Sequence, residues 1–151
     1  MIQPHLKNQG LSLLLALASL LFGLFIYTLA RPESLYLNQW IKAIIGPGHM
    51  LSFRDFLAGI AIPSWMMYSL PDALWMLSLM LIMLVIWRFQ INRQSMPWIL
   101  ATLVFGIGFE ALQANQWVRG SFDWMDLVMI FAAGLLPVCI LLFKQAKYRI
   151  A

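Results

Sequence analysis

The sequence predicts an all-α integral membrane protein with four transmembrane helices and short interfacial helices between the first and second. Hydrophobic residues make up 62% of the chain and charged residues only 11%, whereas soluble domains contain about 25% charged residues. Apolar runs fall at residues 11–30, 70–87, 97–114 and 124–143, and about 20 apolar residues span a bilayer core. The 151 residues therefore form a single membrane domain, 1–151, with no room for a soluble catalytic domain.

The first apolar run is predicted to be a retained span and not a cleaved signal peptide. A signal peptide has a hydrophobic core of about 7 to 15 residues that ends in a small-x-small cleavage site. Here the run continues to Ala30 and is followed by Arg31, Pro32 and Glu33.

Residues 34–62 are too polar for a continuous span and too apolar for a solvated loop. Apolar residues recur at helical spacing from Leu37 to Ile45, opposite Asn38, and Gly46 follows. This pattern predicts an amphipathic interfacial helix that stops at the glycine. A second apolar piece, 50–62, is too short to cross the membrane and is predicted to be interfacial or re-entrant.

The polar residues of that second piece have two interpretations. His49, Arg54 and Asp55 form either a solvated group at the level of the lipid headgroups or one wall of a binding site.

The second span opens with Ser69, Pro71 and Asp72. A Ser followed three residues later by an acid, with Pro in the first turn, is typical of a helix start. Asp72 is thus interpreted as a helix-start acid and as a site residue, and the two roles are compatible.

The third span starts at Pro97 and carries the most unusual polar residues. Gly106, Glu110 and Gln113 are spaced i, i+4 and i+7 and share one helix face. An ionisable residue inside a span costs roughly 2.5 to 3.5 kcal/mol on insertion scales and by default marks a site. Gly106 leaves space beside the carboxylate for a helix, a water or a ligand.

The fourth span begins near Asp123 and ends near Phe143. Asp123 and Asp126 are each interpreted either as helix-start acids or as site residues. Cys139 is the only cysteine, which excludes an intrachain disulfide and a C-x-x-C metal or redox motif.

The distribution of basic residues predicts the topology. An even number of spans places both termini on one side, and that side carries Lys7, Arg88, Arg93, Lys144, Lys147 and Arg149, against Arg31, Lys42, Arg54 and Arg119 on the other. Positive residues accumulate in the cytoplasm, so both termini are expected to be cytoplasmic. The predicted binding residues then meet on the outer side, namely Asp72, Glu110, Gln113, Arg119, Asp123 and Asp126, with His49, Arg54 and Trp75 as secondary members. Trp65, Trp117 and Trp124 complete an aromatic belt with Trp75 there.

The motif Glu110-x-x-Gln113, followed by Arg119-Gly120-Ser121-Phe122-Asp123-x-x-Asp126 and the small residues 132–134, resembles the VanZ-like family of small bacterial membrane proteins. The opening of the second span, 70–75, also resembles some short members, and the similarity covers residues 69–137. The sequence lacks the Asp-Lys-x-x-His motif of the better-known members and has no Asn in the last span. The family is named for resistance to lipid-bearing glycopeptide antibiotics, so the resemblance implies a bacterial inner (cytoplasmic) membrane protein of the cell envelope.

Four functions are compatible with this pattern. The first is non-catalytic binding of a lipid headgroup or lipid-linked amphiphile, with Arg119 engaging a phosphate. The others are an intramembrane enzyme with Glu110 or Asp72 as general base, a proton-coupled transporter, and an accessory subunit with a membrane protein partner. The turn holds no His or Cys, Ser121 has no neighbouring His, and no metal-ligand spacing occurs. We therefore expect binding without catalysis, with no metal, cofactor or nucleic acid.

Overall fold

The computed structural model describes residues 4–30, 36–46, 52, 62–117 and 122–150. Regular structure in these ranges is helical throughout, which confirms the all-α class. The helices are α1 (Pro4–Ala30), α2 (Tyr36–Ile45), α3 (Ser64–Tyr68), α4 (Leu70–Ile86), α5 (Met96–Ala114) and α6 (Trp124–Ile150).

Three helices are long and apolar enough to cross a membrane. Their apolar segments are Gln9–Leu29 in α1, all of α5, and Trp124–Ala146 in α6. Helix α4 is also apolar but has only 17 residues. The four expected apolar helices are thus all present, and three of them reach the length of a span, which indicates a membrane-embedded protein.

The shortest of these apolar helices is the centre of the fold. Helix α4 packs against α1, α3, α5 and α6, and it supplies the buried Met76, Met80 and Leu84 to a core completed by Ile99, Leu103 and Ile130. A helix that is apolar on every side is typical of a position surrounded by other helices or lipid.

Helix α1 lies close to α4 because Gly23 has no side chain. A Cβ at this position would come within 2.8 Å of Trp75 Cδ1 and Nε1 and 3.1 Å of the Pro71 carbonyl oxygen. The Trp75 ring also packs against Tyr27, with ring centroids 5.2 Å apart. Close packing around a small residue is a common way for membrane helices to associate.

Helix α2 buries one polar residue and exposes large apolar ones. Asn38 is fully buried, whereas Trp40 is 72% and Ile44 is 82% exposed. The helix ends at Ile45, before Gly46, as predicted. The second predicted interfacial piece lies almost entirely outside the described residues.

Helix α4 begins at Leu70 as predicted, but Ser69 does not cap it. Ser69 has helical dihedral angles (φ −92°, ψ −32°) and makes no side-chain capping bond, whereas an N-cap residue has extended ones. The reason is that α3 leads directly into α4, so the Ser69 amide already donates to the Trp65 carbonyl.

Candidate functional site: three carboxylates from three helices

Three acidic side chains from α4, α5 and α6 meet at one end of the bundle. One carboxylate oxygen each of Asp72, Glu110 and Asp126 lies within 4.8 Å of the other two. Glu110 is 3% and Asp126 is 5% exposed, and Asp72 is half-buried. We call these residues the acidic trio.

The helix directions explain why the trio forms. Asp72 and Asp126 lie in the first turns of α4 and α6, and Glu110 lies four residues before the end of α5. Because α5 runs antiparallel to its two neighbours, its carboxyl end meets their amino ends. The packing is close at Gly106, one turn before Glu110, where a Cβ would be 3.2 Å from Met76 Sδ and 3.1 Å from Ile130 Cγ2. The space expected beside Gly106 is therefore filled by the neighbouring helices.

The carboxylates of the trio lie at a spacing at which like charges repel. Two unit charges at 4.8 Å repel by about 3 to 4 kcal/mol at an effective dielectric constant near 20. The amino ends of α4 and α6 offset part of this repulsion, whereas the carboxyl end of α5 adds to it. A positive charge beside the trio therefore lowers the energy of the ionised carboxyls.

The buried polar atoms at this end of the bundle that have no hydrogen-bond partner among the described residues include Oδ1 of Asp126, Nε1 of Trp75 and Oγ of Ser69. Buried polar groups almost always have a partner, which can be an ion, a water or a ligand. Trp75 lies one turn after Asp72 on α4, but its indole Nε1 is packed against Gly23 of α1. Among these atoms, the Asp126 oxygen is therefore the one that belongs to the trio, and within the described residues nothing donates to it.

The other predicted site residues are distributed differently. Gln113 is half-buried and lies one turn beyond Glu110. Asp123 is exposed and stays at the start of α6, where its Oδ1 accepts a hydrogen bond of 2.9 Å from the Met125 amide. His49, Arg54 and Arg119 lie outside the described residues.

Sequence reasoning did not single out the trio from the six predicted binding residues. No metal was expected because the sequence has no ligand residues at the short spacing typical of metal sites. Ligands supplied by three separate helices do not produce such a spacing. Asp72 and Asp126 also matched ordinary helix-start acids, so only Glu110 stood out. The one available signal was that all three fall at the same end of predicted antiparallel helices.

Comparisons with protein families, curated proteins and solved structures give no match for this chain.

Proposed function

We propose that this is a VanZ-like protein of the bacterial envelope that binds a lipid headgroup or amphiphile through the acidic trio, without catalysis. In this proposal α1, α4, α5 and α6 cross the cytoplasmic membrane, both termini are cytoplasmic, and the trio lies toward the outer leaflet. The observation that carries the proposal is the convergence of Asp72, Glu110 and Asp126. The bound group is therefore cationic.

The cation can come from one of two sources. It is either the amine or quaternary ammonium of a headgroup or amphiphile, or a divalent metal ion that bridges the carboxylates to a lipid phosphate. Carboxylate oxygens are ligands that Mg²⁺ and Ca²⁺ prefer, and the negative charge of the carboxylates also attracts an ammonium group.

The orientation of α2 supports the membrane arrangement. Its exposed Trp40 and Ile44 and its buried Asn38 invert the pattern of a helix on a water-soluble protein. Contact of Trp40 and Ile44 with lipid accounts for this inversion, and it agrees with an interfacial position for α2.

The test is thermal unfolding of the detergent-purified protein with four separate probes. These are MgCl₂, CaCl₂, dodecyltrimethylammonium and lysophosphatidylethanolamine. We expect at least one to stabilise the protein, by about 2.7 kcal/mol at 100 times its Kd. The salts test the metal source, and the two amphiphiles test the organic cation.

Two acidic residues at the start of α6 provide a matched pair. Asp126→Asn should abolish the stabilisation, because Asp126 belongs to the trio. Asp123→Asn should retain it, because Asp123 is exposed and bonded only locally. Stabilisation of equal size in Asp126→Asn, or none by any cationic probe, would refute the proposal.

An accessory subunit of a larger membrane complex is the second candidate. The observation that favours it is the outward face of α5, where Leu100, Val104 and Phe105 are each more than half exposed. Purification in a mild detergent separates the two functions: a stoichiometric protein partner supports the subunit, and a copurified cationic lipid supports the binder.

A further inference from the structure

A groove lies at the opposite end of the bundle from the acidic trio. It has a volume of about 720 Å³ and is bounded by the first turns of α1, the end of α4 and the last third of α6. Arg88, at its rim, follows Asp72 by about 24 Å of chain at 1.5 Å per helical residue. The volume is within the range of about 300 to 1,000 Å³ that ligand sites occupy.

The walls of the groove are mainly apolar. Leu15 comes from α1, Leu81 from α4, and Ile140 and Leu141 from α6. Leu15 and Ile140 are about half exposed, so the groove offers an unfilled apolar surface between helices. An alkyl chain lying in the groove would cover this apolar surface.

The polar rim carries one sign of charge. Arg88 and Lys144 both line the groove, and its described lining includes no Asp or Glu. Neither cation forms an ion pair with a described side chain. The sequence extends this bias, because residues 73–109 and 127–151 contain no Asp or Glu.

The backbone at the rim is held in an unfavourable conformation. Arg88 has φ 50° and Phe89 has φ 56°, in the left-handed region where residues other than Gly cost roughly 1 to 2 kcal/mol. The hydrogen bonds from the Phe89 amide to Leu84 O (2.8 Å) and from the Arg88 amide to Val85 O (2.9 Å) form a Schellman motif. Gly is the usual residue at the position of Arg88 in this motif. The sequence therefore keeps a cationic side chain at a position where the backbone conformation favours Gly.

A long-range hydrogen bond fixes the rim to α6. Gln145 Nε2 donates to the Phe89 carbonyl over 3.0 Å, and both residues line the groove. The loop that bears Arg88 is thereby held against the helix that bears Lys144.

We propose that this groove is a second, separate site that binds an anionic phospholipid of the cytoplasmic leaflet. The phosphate lies between Arg88 and Lys144, and one acyl chain lies along the apolar walls. Basic pockets between membrane helices on the cytoplasmic side bind anionic headgroups in this way. The site is independent of the acidic trio, which has the opposite charge and lies at the other end of α4.

Native mass spectrometry of the detergent-purified chain tests this site, with dioleoyl phosphatidylglycerol and dioleoyl phosphatidylcholine as probes. Each cation near an anionic group contributes a factor of about five, so two should give a preference of roughly thirtyfold for phosphatidylglycerol. The double variant Arg88→Gln, Lys144→Gln should lose this preference. Arg93→Gln should keep it, because Arg93 lies in the same loop but does not line the groove.

The apolar walls have an equally close control. Leu14 and Leu15 are adjacent and both exposed, but only Leu15 lines the groove. Leu15→Trp should therefore reduce the binding of both lipids, and Leu14→Trp should not. The proposal is overturned if phosphatidylcholine binds equally well, if the Arg88 and Lys144 double variant keeps the preference, or if a second copy of the chain occupies the groove in place of lipid.

Discussion

At the scale of single residues, Glu110 is the least expected side chain in the bundle. It is buried, it lies near the carboxyl end of α5, and two other carboxylates are within 4.8 Å. Each of these three conditions disfavours an anion. The sequence alone predicted Glu110 as a site residue, because a carboxyl inside an apolar span has no structural explanation.

Glu110→Gln should stabilise the protein in cation-free buffer and abolish its response to cationic probes. The amide keeps the shape of the side chain and removes one charge from the trio. The melting midpoint should rise by roughly 2 to 4 °C per kcal/mol of repulsion relieved, as measured by differential scanning fluorimetry. Gln113→Leu, which removes a predicted binding residue one turn away, should weaken the response to cations, and the exposed Asp123→Asn should retain it. A cation response in Glu110→Gln equal to that of the unsubstituted chain would show that the trio is only a packing feature.

Arg88→Gly should separate stability from lipid binding. Gly relieves the left-handed backbone at φ 50° and should raise the free energy of unfolding by roughly 1 kcal/mol. The same substitution should lower the preference for phosphatidylglycerol about fivefold. Thermal unfolding and native mass spectrometry measure the two effects separately, and a lipid preference unchanged by Arg88→Gly would show that Arg88 does not contact the lipid.

At the scale of the elements, glycine positions determine how closely the helices approach. Gly23→Ala should lower the melting midpoint, because its Cβ would meet the rigid Trp75 ring at 2.8 Å. Gly108→Ala should be neutral or stabilising by up to about 1 kcal/mol, because nothing lies within 4 Å of its Cβ and Ala favours helix. Thermal unfolding of the two variants in the same detergent compares them directly. Equal effects would mean that α1 and α4 can separate without loss of stability.

The boundaries of α4 and α5 could be predicted closely from the sequence, whereas α1 begins earlier than residue 11 and α6 ends later than residue 143, and the orientations of the helices could not be predicted. The ends of α4 and α5 fall within one residue of the predicted 70–87 and 97–114, because Pro97 and the polar residues that follow each apolar run are strong local signals. The side of each helix that contacts its neighbours could not be predicted, since α4 is apolar on every side. For the same reason, no periodic pattern in the sequence predicts the contact of Gly23 with Trp75. No such pattern predicts the groove at Arg88 either.

At the scale of the whole molecule, charge is divided between the two ends. All six acidic residues lie in or beside segments assigned to the outer side, and six of the ten basic residues lie in segments assigned to the cytoplasm. This division allowed the sequence to predict that Asp72, Glu110 and Asp126 gather at one end. It could not predict that their carboxylate oxygens lie within 4.8 Å of one another, because that depends on the rotation of three helices about their own axes.

The proposed topology predicts which sites a membrane-impermeant thiol reagent will reach in intact cells. Cys139 is exposed on α6 and is first replaced by Ala. Gln39→Cys and Asn115→Cys should then be labelled, and Gln94→Cys and Ala146→Cys should be shielded until the cells are permeabilised. All four positions are exposed, so access depends on the side of the membrane. The opposite labelling pattern would reverse the orientation and place the acidic trio at the cytoplasmic face.

The short central helix has a consequence for the surrounding bilayer. At 17 residues, α4 is about 26 Å long, whereas an average hydrocarbon core is about 30 Å thick. Helices α1 and α6, each of 27 residues, can accommodate a thicker bilayer by tilting, but α4 is held between them and cannot lengthen. In the proposed four-span arrangement the lipid must therefore thin locally around the protein. A carboxylate in the first turn of α4 would then lie close to water in a thin bilayer and below the headgroups in a thick one, so acyl-chain length would control access to Asp72.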